Sequence, residues 1–234
     1  MRRPAVGLTL NWRRNDDQLV PARGRWMFTL NQSYADLMEK VDAVPVGILP
    51  AAGDFKGILD SLDLVVLTGG GDPAPDLYGQ TAIVSMECCR ERPLWEMEFY
   101  RSARERGIPV LGICLGMQLI GIAEGGQLIQ DIPTQLDNPC LHQGGPERPA
   151  SHTITLTRGT FLNHVFGDRI DVSSDHHQAL SDIPGGFHAA ARSSDGVIEA
   201  MESDDGCVVA VQWHPERDFT GPVLLRSLLD RLEG

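Results

Sequence analysis

Short apolar runs bounded by turn-forming residues recur through the first half of the chain and alternate with longer mixed segments. Ala5 to Leu10, Val44 to Leu49, Leu64-Val65-Val66-Leu67 and the run around Val110, Leu111 and Ile113 have the length and composition of buried strands. The segments between them read as helices. Ser33 is placed to cap a helix through about Val41, with Asp36 in the capping-box position. Asp54 is placed to cap a short helix ending near Leu62, and Pro93 opens a helix that runs to Arg106 and stops at Gly107. Strand–helix alternation of this kind predicts a mostly parallel central sheet with helices on both faces.

Past Asp131 the pattern changes. Short strands at His152–Thr157, Arg169–Val172, Phe187–Ala191, Val197–Met201 and Val208–Gln212 are joined by turns, which predicts a smaller antiparallel sheet in the second half. Leu224, Leu225, Leu228, Leu229 and Leu232 form a stripe of helical period on the last helix. Two stretches carry no period: a polar, arginine-bearing insert from Asn11 to Asn31, and a Pro/Gly-rich loop from Thr134 to Ser151. With no repeat and no linker, residues 1–234 read as a single α/β domain.

Composition narrows the function classes. A net charge of −12 disfavours a nucleic-acid surface. No apolar run approaches a membrane span, and Met1-Arg2-Arg3-Pro4 leads into a strand rather than a signal segment, so a cytoplasmic protein is expected. Five cysteines are an odd number in a chain large enough to need no staples, which favours reduced thiols. Cys88-Cys89 is vicinal and matches no zinc spacing, so neither metal nor cofactor is expected.

One of those thiols sits in a distinctive place. In Leu111-Gly112-Ile113-Cys114-Leu115-Gly116-Met117-Gln118, Cys114 lies between strand and helix with a glycine two residues to either side, as in a nucleophile elbow. A helix start favours the thiolate, although a free cysteine is more often a small buried hydrophobe. A second apolar strand, Val208 to Gln212, runs into Trp213-His214-Pro215-Glu216. In extended chain i and i+2 project to one side, so Glu216 can hold one nitrogen of His214 while the other faces Cys114. Nucleophile, base and orienter are the parts of a thiol acyl-transfer site. Leu67-Thr68-Gly69-Gly70-Gly71-Asp72, at another strand end, can turn backbone N–H groups inward beside the N–H of Leu115 as oxyanion donors. It is neither a Walker loop nor a dinucleotide fingerprint.

The Gly-Ile-Cys-Leu-Gly-Met-Gln elbow and the Gln-Trp-His-Pro-Glu ending resemble the class I glutamine amidotransferase-like superfamily, and within it the γ-glutamyl-γ-aminobutyrate hydrolase-like family. Leu77-Tyr78-Gly79, Gly126 to Asp131, Asp175-His176-His177-Gln178-Ala179 and Asp195 to Ala200 match in the same order, from about Val6 to Glu216. The resemblance implies a flavodoxin-like fold and a Cys114, His214, Glu216 triad. It also implies an oxyanion hole from Leu115 with Gly70 or Gly71, and γ-glutamyl contacts from Gln118, His176, His177 and Gln178. The expected reaction is hydrolysis of a small γ-glutamyl amide through a γ-glutamyl thioester, without cofactor or macromolecular partner; a homodimer stays an open option. One departure is Leu115, where these hydrolases commonly carry arginine and glutamine-using amidotransferases carry leucine. That keeps a second reading in play, an ammonia-supplying glutaminase subunit with a separate synthetase partner. A catalytically dead scaffold on the same fold is opposed by the complete triad set. His142, His152, His164 and His188 have no partner spacing and read as structural.

Overall fold

Alternate residues of the central strands face opposite sides, and two hydrophobic cores sort by that parity. Leu64 and Val66, Leu111 and Ile113, and Val209 and Val211 enter one core; Val65 and Leu67, Val110, and Val208 and Ala210 enter the other. These side chains are at most 2% exposed, and each is worth about 1.5–3 kcal/mol for the larger residues on burial. The computed structural model describes residues 2–14, 25–50, 55–83, 88, 90–145 and 150–233, without the side chains of Arg14 and Glu233.

The strands are β1 (Ala5–Thr9), β2 (Asn11–Arg14), β3 (Trp26–Thr29), β4 (Val44–Ile48), β5 (Leu64–Leu67), β6 (Val110–Ile113), β7 (Leu128–Ile129), β8 (Ala150–Leu156), β9 (Arg169–Ser174), β10 (Ala179–Leu180), β11 (Phe187–Ser193), β12 (Ile198–Ser203) and β13 (Val208–Val211). The helices are α1 (Gln32–Lys40), α2 (Lys56–Leu59), α3 (Glu91–Glu105), α4 (Leu115–Ala123), α5 (Ile132–Gln135), α6 (Phe161–Phe166) and α7 (Thr220–Glu233). Helices α1, α6 and α7 feed the first core, and α2, α3 and α4 the second, so helices cover both faces of one α/β domain.

The main sheet has nine strands in the order β4-β1-β5-β6-β13-β12-β11-β8-β9. Pairings from β4 to β13 are parallel, and those from β13 to β9 are antiparallel. Most second-half strands therefore extend the central sheet, and the smaller antiparallel sheet of that half is the pair β7/β10. The parallel half has the 2-1-3-4-5 order of flavodoxin-like folds, with its switch point between β1 and β5. Ligands of such sheets bind beyond the carboxyl ends of the strands at that point.

Local differences from the sequence expectation have simple causes. The Asn11–Asn31 insert is not irregular throughout: β2 and β3 pair as an antiparallel ribbon, with Trp12 packed edge-on to Phe28 at 5.7 Å. Its arginines masked a run of strand-forming aromatics. The cap of α1 is Asn31, whose side chain accepts the Ser33 N–H at 3.1 Å, so Ser33 lies inside the helix. No side chain caps α2, and Asp54 lies outside the described residues. The Thr134–Ser151 loop overlaps α5 at its start and β8 at its end, and 146–149 are outside the described residues. Among the described residues, no helix is long and apolar enough to cross a membrane.

Candidate active site

Three strand ends converge on Cys114. It follows β6 directly and starts α4 with φ 52° and ψ −105°, a left-handed backbone rarely taken by a residue with a side chain. The turn is sharp enough that a Cβ on Gly116 would lie 2.2 Å from the carbonyl oxygen of Leu67, and one on Gly112 would lie 2.9 Å from the backbone of Gly116. Only glycine fits at either place. The Cys114 N–H donates to Val211 O at 2.8 Å, tying the elbow to the strand that carries His214.

His214 leaves β13 after Trp213, which is fully buried and anchored by its indole N–H to the Thr220 hydroxyl at 3.1 Å. The imidazole Nδ1 is 2.7 Å from Glu216 Oε1, and His214 and Cys114 line the same cavity. Burial opposes its charge, but the interactions with Cys114 and Glu216 outweigh burial and raise its pKa to about 10. Asp218, the other acid nearby, instead accepts the backbone N–H groups of Ser173 and Thr220, both at 2.8 Å.

The glycine loop after β5 is held from below by a group that sequence reasoning missed. Arg92, 2% exposed, donates to Thr68 O and Oγ1, Gly69 O and Asn11 Oδ1 at 2.9–3.1 Å, and to Glu96 Oε1 at 2.7 Å. Burial pushes Glu96 up while Arg92 pulls it back. The signal was available as an Arg–Glu i,i+4 pair on the face of α3 that also carries Phe99 and Ala103. The Gly69 N–H is taken by the Tyr34 hydroxyl at 2.9 Å. A Cβ at Gly70 would come within 2.2 Å of Arg92 Nη1 and 2.8 Å of Leu115 Cδ2, so this position admits only glycine. Leu115 itself is 2% exposed and its side chain packs in the core.

Two cavities meet at Cys114 and Gly70. The larger, about 390 Å³, is lined by Asn11, Arg13, Tyr34, His214 and Arg217 among others. The smaller, about 320 Å³, is lined by Gly71, Asp72, Gln118, His176, His177 and Gln178. All four residues expected to contact a γ-glutamyl group thus share one cavity. Gln118 donates to Gln178 O at 3.1 Å, and Gln178 donates to Gln130 O at 2.9 Å. His177 bridges Asp72 (3.1 Å) and Asp131 (3.0 Å); the Asp72 hydrogen bond, then burial against it and Asp131 with it, set its pKa at about 9. His176 behaves differently: its Nδ1 is 3.0 Å from Gln178 O and its Nε2 is 3.6 Å from Glu199.

A family model for Peptidase C26 matches residues 4–216. The chain belongs to the Peptidase C26 family. This Peptidase C26 chain is 36% identical over 241 residues to Rv2859c of Mycobacterium tuberculosis, a protein provisionally named a glutamine amidotransferase, covering 99% of this chain and 76% of the relative. It is 27% identical over 245 residues to the γ-glutamyl-γ-aminobutyrate hydrolase PuuD of Escherichia coli K12, covering 98% and 92%. A glutamine amidotransferase structure from Thermotoga maritima superposes with a TM-score of 0.61 at 17% identity, covering 100% of this chain and 85% of that one, which shows the shared fold. Family and relatives together make this C26 protein a glutamine amidotransferase-like amide hydrolase.

Proposed function

We propose that the protein hydrolyses the γ-glutamyl amide bond of a small γ-glutamyl amine through a thioester on Cys114. The observation that carries this is His214, held by Glu216 and lining one cavity with Cys114, where two cavities join. The Cys114 thiolate adds to the γ-carbonyl carbon, and the tetrahedral oxyanion is met by the N–H groups of Gly70 and Leu115. Gly69 is excluded as a donor because Tyr34 already accepts its N–H. Collapse breaks the C–N bond, His214 gives its proton to the departing amine, and the γ-glutamyl thioester remains. Water, deprotonated by His214, then releases glutamate and restores the thiolate.

His214 lines the larger cavity, so the amine it protonates departs there, and the γ-glutamyl group occupies the smaller cavity with Gln118, His177 and Gln178. With Leu115 buried, recognition of the leaving group falls to the walls of the larger cavity. Arg13 lines it and Arg25 does not; Arg14's side chain and Arg23 lie outside the described residues. A guanidinium at that mouth suits a leaving amine that carries a carboxylate or phosphate.

The test is glutamate release from a panel of γ-glutamyl amides by the protein alone, with hydroxylamine added to trap the thioester as γ-glutamyl hydroxamate. Turnover and hydroxamate are expected with the wild type and neither with Cys114→Ser. Release of ammonia from free glutamine, with no turnover of any other γ-glutamyl amide, would favour a glutaminase subunit instead.

A further inference from the structure

Glu199 is fully buried in β12, and three imidazoles face one of its oxygens. His142 Nδ1, His152 Nε2 and His176 Nε2 lie 3.2, 3.0 and 3.6 Å from Glu199 Oε1. His142 and His176 are 3% and 4% exposed, and the side chain of His152 is 7% exposed. The far nitrogen of each ring meets an acceptor: Asp195 for His142 at 2.9 Å, Leu141 O for His152 at 3.3 Å, and Gln178 O for His176 at 3.0 Å. An acceptor fixes the ring proton on that far nitrogen. His152 can instead donate from Nε2 to Glu199 Oε1, the shorter of its two contacts, whereas the neutral rings of His142 and His176 turn a lone pair toward the carboxylate.

Lone pairs facing a carboxylate repel it unless something positive lies between. His142 Nδ1, His176 Nε2 and Glu199 Oε2 are buried without a hydrogen-bond partner. A dication among neutral rings balances the charges of Glu199 and Asp195. Rings whose outer N–H groups are held by carboxylate and carbonyl acceptors, with inner nitrogens converging, are the arrangement that orients metal-ligating histidines. The ligand atoms of His142, His176 and Glu199 lie within 4.8 Å of one another, close enough to share one ion.

We propose that His142, His176 and Glu199 bind a divalent cation, and that ligand chemistry selects zinc. Two imidazoles and one carboxylate suit zinc over the oxygen-loving magnesium or calcium. His152 stays outside the set, hydrogen-bonded to Glu199 at 3.0 Å. The ion joins β12, the irregular segment around His142 and the 175–178 segment that walls the smaller cavity. Cys140 is not a ligand: its sulfur lies 3.3 Å from the outer nitrogen of His142.

The experiment measures zinc by elemental analysis in protein expressed with zinc and desalted. Three proteins are compared: wild type, Cys114→Ser and His142→Gln. Stoichiometric zinc is expected in the first two and its loss in the third, with a thermal midpoint that a strong chelator lowers in wild type and leaves unchanged in His142→Gln. If His142→Gln does not fold, cobalt(II) added to chelator-stripped wild type decides, by the intense visible absorption of a tetrahedral site. Zinc-free wild type with a midpoint unmoved by chelator and no such absorption overturns the proposal. So does zinc that is lost in Cys114→Ser, which would place it on the thiol and His214.

Discussion

The molecule contains two clusters of cysteine, histidine and carboxylate, and their wiring sets them apart. In Cys114–His214–Glu216 the carboxylate holds Nδ1 at 2.7 Å, which leaves the rest of the ring to share a proton with the thiol. In Cys140–His142–Asp195 the thiol (3.3 Å) and carboxylate (2.9 Å) press on the same nitrogen, Nε2, while Nδ1 faces Glu199. Burial and then Asp195 push the Cys140 thiol up to about 11, so it stays protonated. The first cluster has a left-handed backbone at its cysteine and a cavity on either side. A relay needs acid and nucleophile on opposite nitrogens; composition alone does not distinguish the two sets.

The largest effect should separate the clusters outright. Cys114→Ser and His214→Ala are each expected to lower kcat by about 10⁴-fold or more, whereas Cys140→Ser should stay within tenfold of wild type; parallel steady-state kinetics with thermal melts will show it. Glu216→Gln should come next, at about 10³–10⁴-fold, because the carboxylate orients and stabilises the imidazolium without reacting. A neutral result there would reassign the orienting role, and Asp218, occupied with two backbone N–H groups, is a poor replacement.

Alkylation gives the same comparison without mutation. Iodoacetamide followed by peptide mapping should label Cys114 well before Cys140, and activity should fall in step with Cys114 labelling. The pH profile then tests the ion pair itself. With His214 raised to about 10, kcat/KM should hold through neutral pH and fall about tenfold per unit above that value, as the leaving amine loses its proton donor. The same raised pKa stabilises the fold fully below about 6.5 and loses that contribution as pH rises through about 10. The smallest effect belongs to the rim of the larger cavity. Arg13→Ala should raise KM for an anionic γ-glutamyl substrate by a few-fold and leave a neutral one unchanged, the size expected of an exposed charge; equal effects on both would remove Arg13 from recognition.

What was legible in the chain was local. Strand parity and the crowded elbow around Cys114 depend on neighbours within a few residues and appear in the structure where the pattern placed them; His214 does meet Glu216, but across the tight helical turn Pro215–Arg217 rather than in extended chain. Helix and strand ends shifted by a residue or two, as at Asn31, because caps are decided by which side chain reaches a free N–H. The β2–β3 ribbon was hidden because Arg13 and Arg14, within a polar insert, outweighed its aromatics in the sequence, whereas pairing in space needed only the register.

Contacts between distant segments had no such signal. Arg92 grips a loop 24 residues away, and Glu199 gathers histidines 23, 47 and 57 positions before it in the chain, by the numbers of His176, His152 and His142. The one trace was an acid inside an otherwise buried strand, Ile198–Ser203, since a buried carboxylate must find partners wherever the fold supplies them. The chain by itself thus determined which residues could act on a thioester: their chemistry and short spacing are written along it. Tertiary structure alone decided which histidine came to share a cavity with Cys114 and which were fixed around Glu199. That choice depends on what meets each ring nitrogen, and those partners are brought together only when the sheet closes.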